Sequence, residues 1–156
     1  NLLIKELFGG VGHPWILPDE LFGASIKRIN ISYKRRRRLS GRALRIFFKI
    51  ARFWKLNTRE EMFLLGIKSY QDLGKRRRGK AVLNNIELEM LGWILEIYKN
   101  LHILLPDEQS ADSWMKKKPN NASIFDGKSA IEYIMESNMS LDRILDVRNY
   151  LASQLV

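Results

Sequence analysis

Cysteine is absent from the 156 residues, so the chain can form neither disulfides nor thiol-based catalytic sites. This composition fits a reducing cytoplasm, which is where we expect the protein to reside. No apolar run reaches the roughly 18 residues that a membrane span requires, and the start of the chain lacks the apolar core of a secretory signal peptide. The chain begins with Asn1 rather than Met, so we expect it to be part of a longer translation product.

Acidic residues are missing from two long stretches of the first half. No Asp or Glu lies between Glu20 and Glu60 or between Asp72 and Glu87. Residues 1–86 contain 20 Lys and Arg against 6 Asp and Glu, a net charge of +14, whereas the rest of the chain contains 7 and 11, a net charge of −4. Because cationic side chains release the counterions condensed on a polyanion, nucleic acid is the expected partner of the first half. The second half, with its net negative charge, must have a different function.

Catalytic constellations are missing as well. Of the two histidines, His13 and His102, the second lies in a dense apolar segment, which favours a packing role over metal ligation. The acidic pairs at 60–61 and 107–108 fall at predicted helix boundaries, where capping explains them. The glycines within 9–12 are too few for a phosphate-binding loop. We therefore expect neither an enzyme nor a protein that needs a metal or cofactor.

The periodicity of apolar residues is helical from Ser40 onward. The predicted helices cover residues 40–54, 58–66, 71–80, 86–105, 130–135 and 140–153. Ser40 is the predicted N-cap of the first helix, and Thr58 with Glu61 forms a predicted capping box at the second. Gly66 is expected to end the second helix with a left-handed backbone, and Ser69 to cap the third. The pattern predicts an all-α fold.

The third predicted helix has the features of a DNA-recognition helix. A packing helix, a further helix, a glycine-containing turn and a short polar helix form the helix-turn-helix pattern. Gln71 can pair with adenine and Lys75 with guanine, whereas the arginines are expected on phosphates. The predicted DNA-binding residues are Lys68, Ser69, Tyr70, Gln71, Lys75, Arg76, Arg77 and Arg78. The alternative is a small helical bundle with a basic surface.

The segment 86–105 is apolar on more than one helix face. Such a helix must be buried on several sides, either between sub-domains or against another copy of the chain. Leu91, Ile94 and Tyr98 are the predicted dimerisation residues. We divide the chain into a basic and mostly irregular arm (1–39), a DNA-binding and dimerisation domain (40–105) and a small helical domain (106–156). The arm either follows DNA phosphates or carries a solvated charge run.

A set of residues spread over most of the chain carries a family resemblance. The set comprises Ala43-Leu44-Arg45-Ile46-Phe47-Phe48-Lys49-Ile50-Ala51, Trp54-Lys55-Leu56, Glu60-Glu61, Leu64-Leu65-Gly66, Ile97-Tyr98-Lys99-Asn100-Leu101, Ala111, Trp114, Pro119-Asn120, Phe125, Gly127 and Val147-Arg148-Asn149-Tyr150-Leu151. From about Ser40 to Val156 the chain resembles the Xre/MbcA/ParS-type antitoxins. The chain departs from that family's pattern at Met115, where the family usually has Leu, at Ala130, where it usually has Pro, and in its lysine run at 116–118.

The resemblance implies a helix-turn-helix domain followed by a small helical toxin-binding domain. It further implies a homodimer that binds double-stranded operator DNA, represses its own operon, and covers the active site of a RES-domain toxin that consumes NAD. The predicted toxin-binding residues are Trp114, Asn120, Phe125, Arg148, Tyr150, Leu151, Leu155 and Val156. Trp114 and Phe125 are expected to pack the loop onto the final helices or to contact the toxin. The last residues are free to extend into a toxin cleft because they end the chain.

Two other classes of function stay open. One is a stand-alone helix-turn-helix repressor whose acidic tail only dimerises. The other is an interaction module whose basic face binds membrane lipid or RNA, although Phe47 and Trp54 lie at core spacing on the helix that would do so. Salt-sensitive binding to a preferred duplex would support a regulator, whereas binding to anionic vesicles without a DNA preference would support the module.

Overall fold

The computed structural model describes residues 32–138 and 140–155, apart from the side chain of Ser140. The described residues form seven α-helices and contain no β-strand, which confirms the all-α fold class. The helices are α1 (Tyr33–Phe53), α2 (Thr58–Leu65), α3 (Tyr70–Arg77), α4 (Asn85–Leu104), α5 (Glu108–Ser113), α6 (Ala130–Met135) and α7 (Ser140–Gln154), with 3-10 turns at Trp114–Lys116 and Ser123–Phe125. In this part of the chain no helix has the length and apolar character needed to cross a membrane. Most of the predicted arm, residues 1–31, lies outside the described residues.

The first helix begins earlier than its sequence predicts. α1 starts at Tyr33 with Ser32 as its N-cap. Ser40, the predicted cap, is instead buried inside the helix, where its Oγ donates to the Arg36 carbonyl at 2.6 Å and accepts from the Leu83 N–H at 2.9 Å. The Ser40 prediction is therefore wrong, because a distant backbone group uses the hydroxyl that would have capped the helix. The arginine run before Ser40 is helical.

The capping box of α2 is shifted by one residue from its predicted position. Asn57, rather than Thr58, is the N-cap: its Oδ1 accepts from the Glu60 N–H at 2.8 Å, and Glu60 Oε1 accepts from the Asn57 N–H at 2.8 Å. Both Asn and Thr are good caps, so propensity alone could not decide between them. The shift releases Glu61 from capping and allows it to be buried.

The turn between α2 and α3 follows the sequence prediction. Gly66 ends α2 with φ 68°, in the left-handed region that favours glycine. Ser69 Oγ accepts from the Asp72 N–H at 3.0 Å and caps α3. The glycine turn and the short capped helix are therefore confirmed as local structure.

Helix α4 lies at the centre of the molecule, with α1, α5 and α7 packed around it. Leu91 and Ile94 are 2% exposed and Tyr98 has no exposed surface, so neighbouring helices of the same chain cover all three. This burial corrects the predicted dimerisation seam, because nothing of these side chains is left for a second copy to contact. A single hydrophobic cluster continues from Ala43 on α1 to Leu151 on α7. The two halves of the chain share one core.

Four aromatic rings pack the tail together, and we call Trp114, Phe125, Tyr133 and Tyr150 the aromatic cluster. Phe125 has no exposed surface, and its ring centroid lies 5.6 Å from Trp114, 5.4 Å from Tyr133 and 6.2 Å from Tyr150. Trp114 and Tyr150 stack with centroids 6.4 Å apart. The packing role expected for Trp114 and Phe125 is therefore confirmed, because the cluster joins the loop to α6 and α7.

Candidate nucleic-acid interface

Helix α3 lies on the surface and exposes its polar residues other than Arg76. Tyr70 at its start is 77% exposed, while Leu73 is the buried residue of this helix and anchors it to the core at 4% exposure. The other exposed residues of the predicted DNA-binding set are Lys68, Ser69, Gln71, Lys75, Arg77 and Arg78. A short helix held by one apolar side chain and polar elsewhere has the form that can enter a major groove.

Arg76 is engaged inside the protein. Its Nη1 forms an ion pair with Glu87 Oε2, and the two side chains are only 15% and 23% exposed. Glu87 also belongs to the capping box of α4, where its Oε1 accepts from the Asn84 N–H at 3.1 Å. Arg76 thus ties the last turn of α3 to the first turn of α4. This corrects its predicted phosphate contact, because a guanidinium held by a carboxylate is not offered to DNA.

Arg77 ties α3 to α2 and α1. Its Nη2 donates to Glu61 Oε1 at 2.7 Å, and its guanidinium carbon lies 4.9 Å from the centre of the Phe48 ring. The Glu61 side chain is 8% exposed and that of Arg77 is 48% exposed. Arg77 therefore pairs with the buried Glu61 carboxylate, while about half of its own side chain stays exposed to solvent. Arg76 and Arg77 together are positioning residues that fix α3 against its three neighbours.

Burial raises the pKa of Glu61 above its ordinary value of 4.5, and the Arg77 guanidinium offsets only part of that effect. The native state therefore binds the Glu61 proton more tightly than the unfolded chain does. As the pH falls from about 7 toward 4.5, the wild type should gain free energy of unfolding relative to Glu61→Gln, which cannot titrate. This gain disappears when the pH rises through the raised pKa. Urea unfolding of both proteins at neutral and mildly acidic pH measures the difference, and a difference that stays constant or shrinks on acidification would contradict the assignment.

Three of the predicted toxin-binding residues are buried in the tail itself. Phe125 has no exposed surface and Leu151 is 2% exposed. Asn120 is 6% exposed, and its Oδ1 accepts from the Ala122 N–H at 2.9 Å, which forms the turn expected of an Asn after Pro. Their predicted contact role is corrected to a packing role, because a partner cannot reach side chains that the tail already encloses.

Arg148 joins the tail to the central helix. Its Nη2 and Nε donate to Glu96 Oε1 at 2.8 Å and 3.0 Å, and its guanidinium carbon lies 5.2 Å from the centre of the Trp93 ring. The two paired side chains are 22% and 15% exposed. The predicted toxin-binding residue Arg148 is therefore engaged mainly in holding α7 on α4.

Few apolar side chains of the tail are exposed. Leu155 is 41% exposed, and the stacked pair Trp114 and Tyr150 is partly exposed. Ile124, which the sequence reasoning missed, is 38% exposed. The sequence signal that could have indicated Ile124 is an isoleucine between a serine and a phenylalanine in a predicted turn. Val156 lies outside the described residues.

His102 has a packing role between α4 and α5. Its Nε2 lies 2.9 Å from Asp112 Oδ1, and its ring centroid lies 4.4 Å from that of Tyr98. Burial raises the pKa of Asp112, although the contact with His102 acts in the opposite direction. Within residues 32–138 and 140–155, no group of three His, Asp or Glu side chains could hold a metal ion.

Comparison with known proteins gives one informative relative. Neither a protein-family model nor a solved structure matches the chain. The chain is 34% identical over 114 residues to the uncharacterized protein y4oB of Sinorhizobium fredii, and the alignment covers 71% of this chain and 82% of that protein. Identity at this level over most of both chains indicates a common ancestor, and the chain belongs to the same protein family as y4oB.

Proposed function

We propose that the chain is the antitoxin of a type II toxin–antitoxin system. It binds a RES-domain, NAD-consuming toxin and covers its active site, and as a homodimer it represses its own operon through the helix-turn-helix formed by α2 and α3. The observation that carries this proposal is a shared core with two exposed surfaces of different chemistry. One is the polar, basic surface of α3, and the other is a small group of apolar side chains in the tail that includes Leu155.

The DNA-binding half of the proposal rests on α3. Tyr70 and Gln71 are exposed in the first turn of the helix, where side chains of a docked helix come within reach of base edges, and Lys75 is exposed in its last turn. Gln71 can form two hydrogen bonds with adenine, and Lys75 can donate to guanine. The ion pairs of Arg76 and Arg77 support this function, since base readout requires a helix held at a fixed angle to its domain.

The toxin-binding half rests on the tail and on its resemblance to the antitoxin family. Leu155 and the stacked pair Trp114 and Tyr150 present apolar surface close to the end of the described chain. A chain end can enter a cleft that a compact surface cannot. In the proposed complex, α7 approaches the toxin with its last turn and the residues beyond it, while Arg148 keeps the helix anchored on α4.

Reciprocal substitutions test whether the two surfaces have the two proposed roles. Gln71→Ala with Lys75→Ala should weaken binding to duplex DNA from the promoter of the chain's own operon by about 1–3 kcal/mol per lost base contact, and should leave toxin neutralisation intact. Leu155→Asp should abolish neutralisation and leave DNA binding intact, because a charge would replace an apolar side chain that the proposed complex buries. Fluorescence anisotropy measures the first activity, and growth during co-expression with the toxin measures the second.

Matched controls exist in the tail for both variants. Lys117→Ala removes an exposed positive charge far along the chain from α3, and Asn149→Asp adds a negative charge at an exposed position of α7. Both controls should retain both activities. The proposal fails if Leu155→Asp and Asn149→Asp neutralise equally well, or if the α3 variant binds the promoter as tightly as the wild type.

The second candidate function is a stand-alone helix-turn-helix repressor. It is favoured by the burial of Phe125, Leu151 and Asn120, which gives these three conspicuous tail residues a packing role. Under this function the tail completes the core around α4, and no neighbouring gene product forms a complex with the chain.

A further inference from the structure

The loop between α3 and α4 is fastened to the first half of α1. The Leu83 N–H is bonded to Ser40 Oγ, and Arg36 Nη1 donates to the Leu83 carbonyl at 3.0 Å. The two backbones also meet at two glycines: a Cβ added to Gly79 would lie 3.6 Å from the Gly41 Cα. Gly79 has φ 68°, which favours glycine at this point. These contacts place the end of the recognition helix beside the N-terminal turns of α1.

Basic side chains surround this junction on both segments. Lys34, Arg37 and Arg38 share one helix face with Gly41, because they precede it by seven, four and three residues. On the other segment, Arg78 and Lys80 flank Gly79. We call Lys34, Arg37, Arg38, Arg78 and Lys80 the basic ridge, and all five residues are exposed.

The basic ridge is not neutralised within the described part of the chain. The ion pairs formed there involve none of its five residues. Both sequence stretches that supply the ridge lack Asp and Glu. Like charges on one helix face and across a tight backbone contact repel one another, so the arrangement is destabilising unless an anion binds it.

We propose that the basic ridge binds the phosphate backbone of duplex DNA, beside the major groove that α3 enters. This proposal rests on the proposed DNA-binding function and extends it to residues of α1. The ridge is continuous with the recognition helix, because Arg78 directly follows the last residue of α3. Duplex DNA is favoured over duplex RNA, since the narrow major groove of A-form RNA would not admit α3. Arg37 and Arg38 of the arginine run thereby become part of the DNA-binding surface.

Salt dependence of binding measures phosphate contacts directly. The full chain is titrated against a fluorescent mixed-sequence duplex of about 30 base pairs, at NaCl concentrations from about 50 to 200 mM. For Arg37→Gln with Arg38→Gln, the slope of log Kd against log salt should fall by about 1.8, or about 0.9 per lost phosphate contact. Arg78→Gln with Lys80→Gln should lower the slope by a similar amount. Circular dichroism checks that these surface substitutions leave the helices intact.

The matched control removes the same charge elsewhere. Arg52→Gln with Lys117→Gln changes two exposed cations outside α2 and α3, of which Arg52 lies about 21 Å from Arg38 along α1. The control should keep the wild-type slope. If it lowers the slope as much as the ridge variants do, the effect is one of net charge and the proposal is overturned.

Other outcomes separate this proposal from the function on which it rests. If the wild type binds the duplex and both ridge variants keep the wild-type slope of log Kd against log salt, only the proposal about the basic ridge is overturned. A wild type that does not bind the duplex at the lowest salt concentration overturns both proposals. If the wild type binds duplex RNA as tightly as duplex DNA, and the ridge variants lose this RNA binding, the assignment of the ridge to DNA is overturned.

Discussion

Replacing Phe125 with alanine should lower the free energy of unfolding by about 3–5 kcal/mol, which is the range for removing a buried phenylalanine from a core. Phe125 has no exposed surface, and its ring contacts Trp114, Tyr133 and Tyr150. The substitution would leave a cavity where the tail loop that contains Phe125 meets α6 and α7. The tail should therefore lose its packing before α1–α3 do. Urea unfolding followed by circular dichroism measures the loss of stability.

The neighbouring Ile124 provides the matched control for this prediction. Ile124 is 38% exposed, so Ile124→Ala removes less buried apolar surface and should cost only about 1–2 kcal/mol. Phe125→Ala should also abolish toxin binding, because the surface formed by Trp114 and Tyr150 depends on the ring beneath it. Equal stability losses for the two variants would show that Phe125 does not hold the tail together.

Arg76→Glu should weaken DNA binding although Arg76 contacts Glu87 rather than DNA. The substitution places two carboxylates against each other at a site where the native side chains are 15% and 23% exposed. Breaking a fully buried ion pair costs about 3–5 kcal/mol, so a loss of about 1–3 kcal/mol in unfolding free energy is expected at this partly exposed site. The last turn of α3 should then move away from α4, and promoter binding should fall with it.

The exchanged pair, Arg76→Glu with Glu87→Arg, separates a positioning role from a phosphate contact. If Arg76 positions α3, the exchange restores the ion pair and recovers part of the stability and promoter affinity, although it also removes the capping box that Glu87 forms at α4. If Arg76 binds a phosphate, the exchange leaves a carboxylate facing the DNA and affinity stays low. Anisotropy titrations over a range of salt concentrations distinguish the two, because a positioning residue leaves the salt slope unchanged.

Features set by neighbouring residues could be predicted from the sequence. Gly66 and Ser69 define the turn before α3 through backbone conformation and a local cap, and both behave as predicted. Ser40 does not, because its hydroxyl bonds to Leu83, 43 residues further along the chain. Periodicity cannot anticipate such a partner, since it reports which face of a helix is apolar and not what approaches the polar face.

The same limit applies to the candidate site. The exposure of Tyr70 and Gln71 follows from their place at the start of a polar helix. The roles of Arg76 and Arg77 depend on carboxylates that lie 11 and 16 residues away in sequence. The sequence likewise predicted that the 86–105 helix is buried on several sides, but could not decide whether the same chain or a second copy covers it. Which charges are paired is settled only by tertiary contacts.

The most direct test of the proposed function is co-expression of the tagged chain with the product of the gene next to its own. We expect the two proteins to purify as a stable complex, and the neighbour to consume NAD when alone but not in the complex. Leu155→Asp should restore NAD consumption. A neighbour that neither binds the chain nor consumes NAD would contradict the antitoxin function and leave a repressor whose tail serves only to complete the core.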